Sequence, residues 1–350
     1  MDSGHTPDAT TTASRTSPAR RRRWLFWLCA TYAIGAIAYW LCIRYLGDRW
    51  WPATILLFAP RWPWLLPATI LIPLAIRKKK LAWIPLLTVC FVVGPLMGFS
   101  VPWRRWFSSA DSKGELRLLV CNVHHNELDL PAMDRYIAGS APGIVLLQDY
   151  SGHDASPLLM KPDWHRYRLG EIFIASRYPI LHTYDLHLER VAGVDDSDLP
   201  VRTGSAVCFD VQTPTETVHV LNLHLASPHG GIRAFRRDMN KGIRRLEMNT
   251  ARRRKESQVI SDWLRAQTGP VIIAGDFNTP AESPIYREFW SGYPDAFASA
   301  GFGFGYTHIS PFSELRIDHL LTTPGITCTS CETGPPCGTP HRPMLVDLRM

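Results

Sequence analysis

Hydrophobic and polar positions divide the chain into two regimes. Trp24 to Ile43 and Leu81 to Trp103 contain no charged residue. Each is long enough for a bilayer core of about 30 Å, which takes roughly 20 helical residues. Between them, "WPATILLFAPRWPWLLPATILIPLAI" is interrupted only by Arg61. Trp62 to Ile76 reads as a short span extended by interfacial Trp62 and Trp64, with a re-entrant segment as the alternative. The pattern predicts a disordered basic N-terminus over 1–23, a membrane region over 24–103 and a polar linker over 104–115. The spans fall at about 24–43, 62–76 and 81–100.

From residue 116 onward the apolar runs shorten, and most carry a polar residue at or near one end. "LRLLVCNV" runs to Asn122, "GIVLLQDY" to Asp149 and "EIFIASRYP" to Ser176 and Arg177. "VHVLNLHLAS" carries His224, "GPVIIAGDFNTP" Asp276 and Asn278, "LRIDHLLTT" Asp318, and "HRPMLVDL" opens with His341. Helices are predicted over Leu130–Ala138 and from about Arg244 to Leu264, the second with Leu246, Val259, Ile260 and Leu264 facing inward. Strands alternating with helices over 116–350 predict sheets covered by helices in one domain. Strand ends are rigid places from which loops present chemistry, and a single polar residue there usually just satisfies backbone. So many in one domain point to a site.

Charge is distributed unevenly. Residues 1–110 hold 14 Lys/Arg against 3 Asp/Glu, whereas the remainder holds 24 against 28. The basicity therefore belongs to the front of the chain, which weakens a nucleic-acid reading of the rest. "RRRR" (Arg20 to Arg23) and "RKKK" (Arg77 to Lys80) belong on the cytoplasmic side. With three spans this places the large domain outside the membrane; with two it is cytoplasmic. Residues 233–255 carry ten Lys/Arg against two Asp/Glu, a wet helix face or a surface for anionic headgroups. Cys328, Cys331 and Cys337 cluster before His341. A disulfide, unpaired thiols and a zinc site stay open, although a structural zinc site wants four ligands.

"GDFN" is the sharpest string. Gly275 lets the chain turn, and Asp276 and Asn278, two apart, can face one cavity. An acid that orients or deprotonates water and an amide that donates to a phosphate oxygen suit phosphoester chemistry. An Asx turn explains the string equally well when it stands alone.

Taken with "VCNV", "LLQDY", "NLHL", "RIDH" and "TPHRP" in this order, the string resembles the endonuclease/exonuclease/phosphatase superfamily, and its membrane-anchored bacterial branch in particular. The resemblance covers about residues 114–350. It implies a four-layer α/β sandwich, two packed mixed sheets flanked by helices, preceded here by transmembrane helices, and Mg²⁺- or Mn²⁺-dependent cleavage of phosphoester bonds. By the same resemblance Asn122 and Asp149 lie at the metal, and His224 contacts phosphate or protonates the leaving oxygen. Asp276 orients water, Asn278 donates to the transition state, and Asp318 pairs with a catalytic His341. Two positions depart from the family's motifs. Asp149 stands where a glutamate is usual, and Pro340 replaces an aspartate before the last histidine, so a metal ligand is lost. Arg177 and His229 are softer candidates for substrate contact, a surface role and a plain turn being the alternatives.

These features predict a multi-pass cell-membrane hydrolase whose extracytoplasmic domain acts on a phosphoester substrate, lipid-linked by its location. A nuclease is a less favoured alternative because the domain's charge is not basic. A phosphate-binding member that no longer cleaves is another, because of Pro340.

Overall fold

The computed structural model describes residues 18–77, 81–103, 115–124, 127–152, 156–188, 204–311 and 313–350. The Ser/Thr-rich start, Lys78 to Lys80 and most of the polar linker lie outside them. The chain forms two compact units. The first is the chain through Tyr39 together with Trp62–Val93; the second is Trp40–Arg61 together with Gly94–Met350.

In the first unit, helix α1 (Pro18–Leu46) buries Leu25, Cys29, Tyr32 and Ala36. That 4-3-4 spacing makes one stripe on a helix. Leu25, Cys29 and Tyr32 pack with Ala68, Leu71 and Ala75 of α3 (Leu66–Ile76) and with Ile84 of α4 (Trp83–Phe91). On the other faces of α1, Trp27, Ile34 and Ile37 are exposed. Among the described residues, one helix, Arg23–Leu46, is long and apolar enough by itself to cross a membrane. The middle apolar stretch is broken into α2 (Trp51–Leu57) and Trp62–Ile76, and counts as one further span at most. Pro60 and Pro63 lie at or beside that break, where missing amide donors end helices. The last stretch, Trp83–Leu96, rises about 21 Å, short of a bilayer core. Of the three expected spans, with the middle one short, the described residues support one, or two with the broken pair.

The second unit is a mixed two-sheet α/β sandwich with flanking helices. One sheet has the strand order β12–β13–β1–β2–β4–β3 and the other β11–β8–β7–β6–β5. In the first sheet these are β1 (Leu116–Asn122), β2 (Ile144–Gln148), β3 (His165–Leu169), β4 (Ile172–Ser176), β12 (Thr327–Thr333) and β13 (Met344–Arg349). In the second they are β5 (Ile180–Asp185), β6 (Ser205–Gln212), β7 (Thr217–His224), β8 (Val271–Asp276) and β11 (Asp318–Thr322). A separate ribbon pairs β9 (His308–Ser310) with β10 (Ser313–Leu315).

The period of two along each strand builds the layers. Leu118, Val120, Ile144, Leu146, Ile172 and Ile174 meet Val207, Phe209, Val220, Ile272 and Ala274 between the sheets. The alternate residues Leu119, Cys121, Val145 and Leu147 face Met133 and Ile137 of α5 (Leu130–Ser140). On the outer side of the other sheet, Cys208, Leu221, Leu223 and Ile273 meet Ile260 and Leu264 of α7 (Met239–Arg265), which follows the short α6 (His229–Phe235). Because both faces of the central strands are covered, they read as unbroken apolar runs. The small helices α8 (Pro284–Phe289) and α9 (Ala296–Ala300) follow β8.

Register then sets the functional geometry. Asp276 at the end of β8 sits opposite His224 of β7 on one side and Asp318 of β11 on the other. In the first sheet Asn122 pairs with Gln148. Gln148 Nε2 donates to Asn222 Oδ1 across the sandwich at 2.6 Å, and Asn222 Nδ2 donates to the carbonyls of Phe173 and Leu147. This buried amide pair ties the two sheets together below the site.

Gly275 makes that register attainable. Its φ is +137°, and a Cβ there would stand 1.9 Å from the Leu223 carbonyl oxygen. Gly275→Ala is expected to cost about 3 kcal/mol or more, read as the urea unfolding midpoint of the full-length protein in detergent. A wild-type midpoint would contradict the close approach.

Candidate functional site

Asp276 is the centre. Its Oδ1 accepts the Asn278 amide at 2.8 Å, the Asx turn open to this string from the start. Its Oδ2 accepts Asn122 Nδ2 at 2.9 Å. The same oxygen faces two imidazoles, His224 Nε2 at 3.7 Å and His341 Nε2 at 3.8 Å. Each imidazole is held from behind by a carboxylate. His224 Nδ1 lies 3.0 Å from Glu171 Oε1, and His341 Nδ1 lies 2.9 Å from Asp318 Oδ2. Two acid–histidine pairs thus flank one buried carboxylate, which is 1% exposed.

The electrostatics follow from burial and charge. Burial alone pushes the His224 imidazole down, but Glu171, Asp276 and Asp149 outweigh it and hold the ring near 9. Burial likewise opposes protonation of His341, and Asp318 together with Asp276 raises it above its ordinary value. Burial and the Asp318 charge raise Asp276, against His341 and His224. Burial also acts to raise Asp318, but His341 holds it below the usual carboxylate range. Both imidazoles are therefore biased toward the charged form, around an acid raised above its ordinary value.

Local sequence explains each placement. His341 precedes β13, which runs antiparallel to β1, so its backbone lies beside the end of β1. Thr339 Oγ1 accepts the His341 amide at 3.0 Å and donates to the His341 carbonyl at 2.8 Å. The carbonyl of Pro340 accepts the Ile309 amide at 2.8 Å. The threonine and proline therefore build a tight turn that aims His341, with no carboxylate at position 340. Thr307 Oγ1 accepts the amides of Ile317 and Asp318, fixing the approach to β11. His308 bridges to His341 through the backbone and packs edge-on to its ring, with centroids 4.9 Å apart. Burial and the neighbouring His341 charge lower the His308 ring to about 4, so it is neutral.

Asp149, with φ +55°, follows β2. Its carboxylate, that of Glu171 and a ring nitrogen of His224 all lie within 4.8 Å of one another. Asp276, Asp318 and His341 form a second such group. Asn122 belongs with the second group, since its Nδ2 reaches Asp276, while its Oδ1 accepts the His124 amide at 2.9 Å. Asn278, also at positive φ, donates Nδ2 to the Leu225 carbonyl at 2.8 Å. An amide nitrogen carries two protons, so one is left for a ligand.

Asn122, Asp149, His224, Asp276, Asn278, Asp318 and His341 are thus brought together. Arg177 is not. β4 runs antiparallel to β2, so Arg177 follows the end of β4 beside Ile144, a strand's length from Asp149. There Arg177 meets Asp163 and stacks over the Trp164 ring. The expectation that it approaches phosphate is corrected by strand direction. Glu171, at the other end of the same strand, was the missed residue, and an acid opening the run "EIFIAS" was its only trace. His229 starts α6 on the exposed surface, its Nε2 3.0 Å from Arg233. Burial and the charges of Arg233, His124 and Arg236 lower its ring.

The cysteines form no joint site. All eight are free thiols. Cys331 packs between the sheets and Cys337 in the cluster beneath α5. A further grouping of Cys208, Asp210 and His219 lies on β6 and β7, toward the end remote from Asp276.

A model of the endonuclease/exonuclease/phosphatase family matches residues 119–341. No curated protein matches the chain. Among solved structures, a mannosyl-6-phosphatase from Bacteroides thetaiotaomicron is similar at 15% identity and a TM-score of 0.51, over 67% of this chain and 100% of that one. A family protein from the same organism reaches 15% and 0.51, over 67% and 94%. One from Bacteroides vulgatus reaches 17% and 0.51, over 67% and 98%. At such identities the likeness is one of fold.

The Asp318–His341 pair has a direct readout. In Asp318→Asn the His341 ring, followed by its carbon-bound protons in NMR, is expected to titrate at lower pH than in wild type. An unchanged midpoint would show that Asp318 is not its partner.

Proposed function

This chain belongs to the endonuclease/exonuclease/phosphatase family, and from that premise we propose that it is a divalent-metal-dependent phosphoester hydrolase attached to a membrane by its N-terminal helix. The observation that carries the reading is one carboxylate, Asp276, faced by two carboxylate-held imidazoles. Beside it stand two further acids, Asp149 and Glu171.

The donor set fits a hard cation. Two carboxylates and an amide oxygen suit Mg²⁺ or Mn²⁺, which keep several waters and need few protein ligands. Asp149, Glu171 and the Asn122 oxygen are the residues that would hold it. Glu171 adds a carboxylate on the Asp149 side, which offsets the shorter reach of Asp149 and the loss at Pro340. When bound, the cation draws negative charge from a phosphate oxygen.

The remaining work falls to the chain's own groups. Asp276 orients the attacking water and accepts its proton. The His341 imidazolium, held in orientation by Asp318, faces the charge that grows on the phosphoryl oxygens, and Asn278 donates to the same oxygens. His224, protonated through Glu171, is placed to contact phosphate or to give a proton to the leaving oxygen. Burial of the whole group strengthens each of these interactions.

The apolar α1 supports membrane attachment, and attachment favours lipid-linked phosphoesters over free ones. The arginine run before α1 supports a cytoplasmic N-terminus. If α1 is the only span, this puts the domain outside; a second span formed by the broken pair returns it to the cytoplasmic side.

The test uses full-length protein in nanodiscs with Mg²⁺ or Mn²⁺, given bis-p-nitrophenyl phosphate, phospholipid headgroups and short DNA. Hydrolysis is expected to stop on chelation, and His341→Ala or Asp276→Asn to lower the rate by about 10³-fold. Glu171→Gln is expected to raise the metal concentration for half-maximal rate about tenfold. Equal rates in wild type and variants contradict the assignment, and a preference for DNA over headgroups contradicts the lipid class.

A further inference from the structure

Asp48 is buried and lies just past α1, in the segment Trp40–Arg61 that belongs to the same compact unit as the site. Arg253 of α7 is fully buried as well. Arg253 Nη2 donates to Asp48 Oδ1 at 3.3 Å, and both side chains are 0% exposed. The other Asp48 oxygen accepts the Ser283 hydroxyl and, at 3.3 Å, the Ile285 amide. One acid from the N-terminal segment thus joins α7 to the start of α8, each more than 200 positions away in sequence.

Both contacts lead to loops that adjoin site residues. Arg253 Nη1 donates to the Ala226 carbonyl at 3.0 Å. One turn on, Glu256 accepts the Ala226 and Gly204 amides, each at 2.8 Å. Ala226 is two residues past His224, and the intervening Leu225 carbonyl accepts Asn278 Nδ2. Ser283 closes the loop that runs on from Asp276 and Asn278. That loop is gripped a second time, where buried Arg61 donates Nη2 to partly buried Glu282 at 2.9 Å. The same guanidinium holds the Leu96 carbonyl at 3.0 Å through Nη1. Gly47 permits the approach, because a Cβ there would strike the Ile43 carbonyl at 2.3 Å and crowd Pro284 at 3.2 Å.

We propose that Trp40–Arg61 is a strap built into the catalytic unit, with Asp48 as a positioning residue for the loops that carry His224 and Asn278. The inference rests on the hydrolase reading only for its effect on rate. A buried guanidinium that loses its carboxylate must find another partner or move. Either response shifts Ala226 and, through Leu225, the Asn278 amide. A displacement of about 1 Å at such groups is enough to slow a reaction by roughly 10²-fold. The segment after the apolar helix is therefore part of the enzyme, where a plain tether would be exchangeable.

The experiment compares full-length wild type, Asp48→Ala, Asp48→Asn, Asp48→Glu and the exposed neighbour Arg49→Ala in nanodiscs. Amide hydrogen exchange is followed at Gly204, Ala226 and Ile285, with Leu146 and Ile174 in the sheet as the reference. In Asp48→Ala the three loop amides are expected to exchange about tenfold faster or more while the sheet stays protected. kcat on bis-p-nitrophenyl phosphate is expected to fall about 10- to 100-fold with KM within about twofold, and Asp48→Glu to recover part of the loss. Should Asp48→Ala not fold, Asp48→Asn keeps the shape and an acceptor for Ser283 and turns an amide NH2, in place of a carboxylate oxygen, toward Arg253. Unchanged exchange at the three amides, or the same changes in Arg49→Ala, overturns the strap. Hydrolysis by no form with either metal sinks the hydrolase reading, while the exchange data still decide the strap.

Discussion

The structure depends on a buried carboxylate that two imidazoles face at once. Asp276 lies 3.7 Å from one ring and 3.8 Å from the other, and each ring is held by its own acid, which favours its charged form. Burying such a cluster is costly unless its charges are paired and most of its hydrogen bonds are made. That demand explains the supporting shell of Asn122, Thr339 and the Leu225 carbonyl. It also explains why so few of these groups are free to move. A site of this kind can meet a phosphate with fixed dipoles and charges already in place, so little reorganisation is left for the moment of reaction.

The two sheets deliver that cluster because their registers agree. β7, β8 and β11 bring His224, Asp276 and Asp318 to one level, while β1 and β2 bring Asn122 and Asp149 to the facing edge. The amide pair of Gln148 and Asn222 locks the sheets below this point. The strap from Asp48 and Arg61 locks the loops above it. The site is thus clamped from two directions, one within the sandwich and one from the chain that leaves the apolar helix.

Much of this was legible in the sequence because strands buried on both faces read as apolar runs, and a polar residue ending such a run stands out. Asn122, His224, Asp276 and Asp318 were found in that way. Glu171 and Arg177 were read from the wrong end of their strand. A run of letters has no direction relative to its neighbours, and only the antiparallel pairing of β4 with β2 shows which end meets the site. Thr339 and Thr307 act through single hydroxyls on backbone amides, which leave no periodic trace. Asp48 carries no signal of its role in the sequence, because its partners lie more than 200 positions away. The spans were overcounted because hydropathy ignores where prolines divide an apolar stretch.

The most direct measurement is the effect of Mn²⁺ on the histidine ring protons of the full-length protein. Paramagnetic broadening at about one equivalent is expected to erase the His224 and His341 resonances and to leave those of His182 and His219 sharp. Broadening confined to His219, beside Cys208 and Asp210, or no broadening at any ring, contradicts a metal-assisted phosphoester site around Asp276.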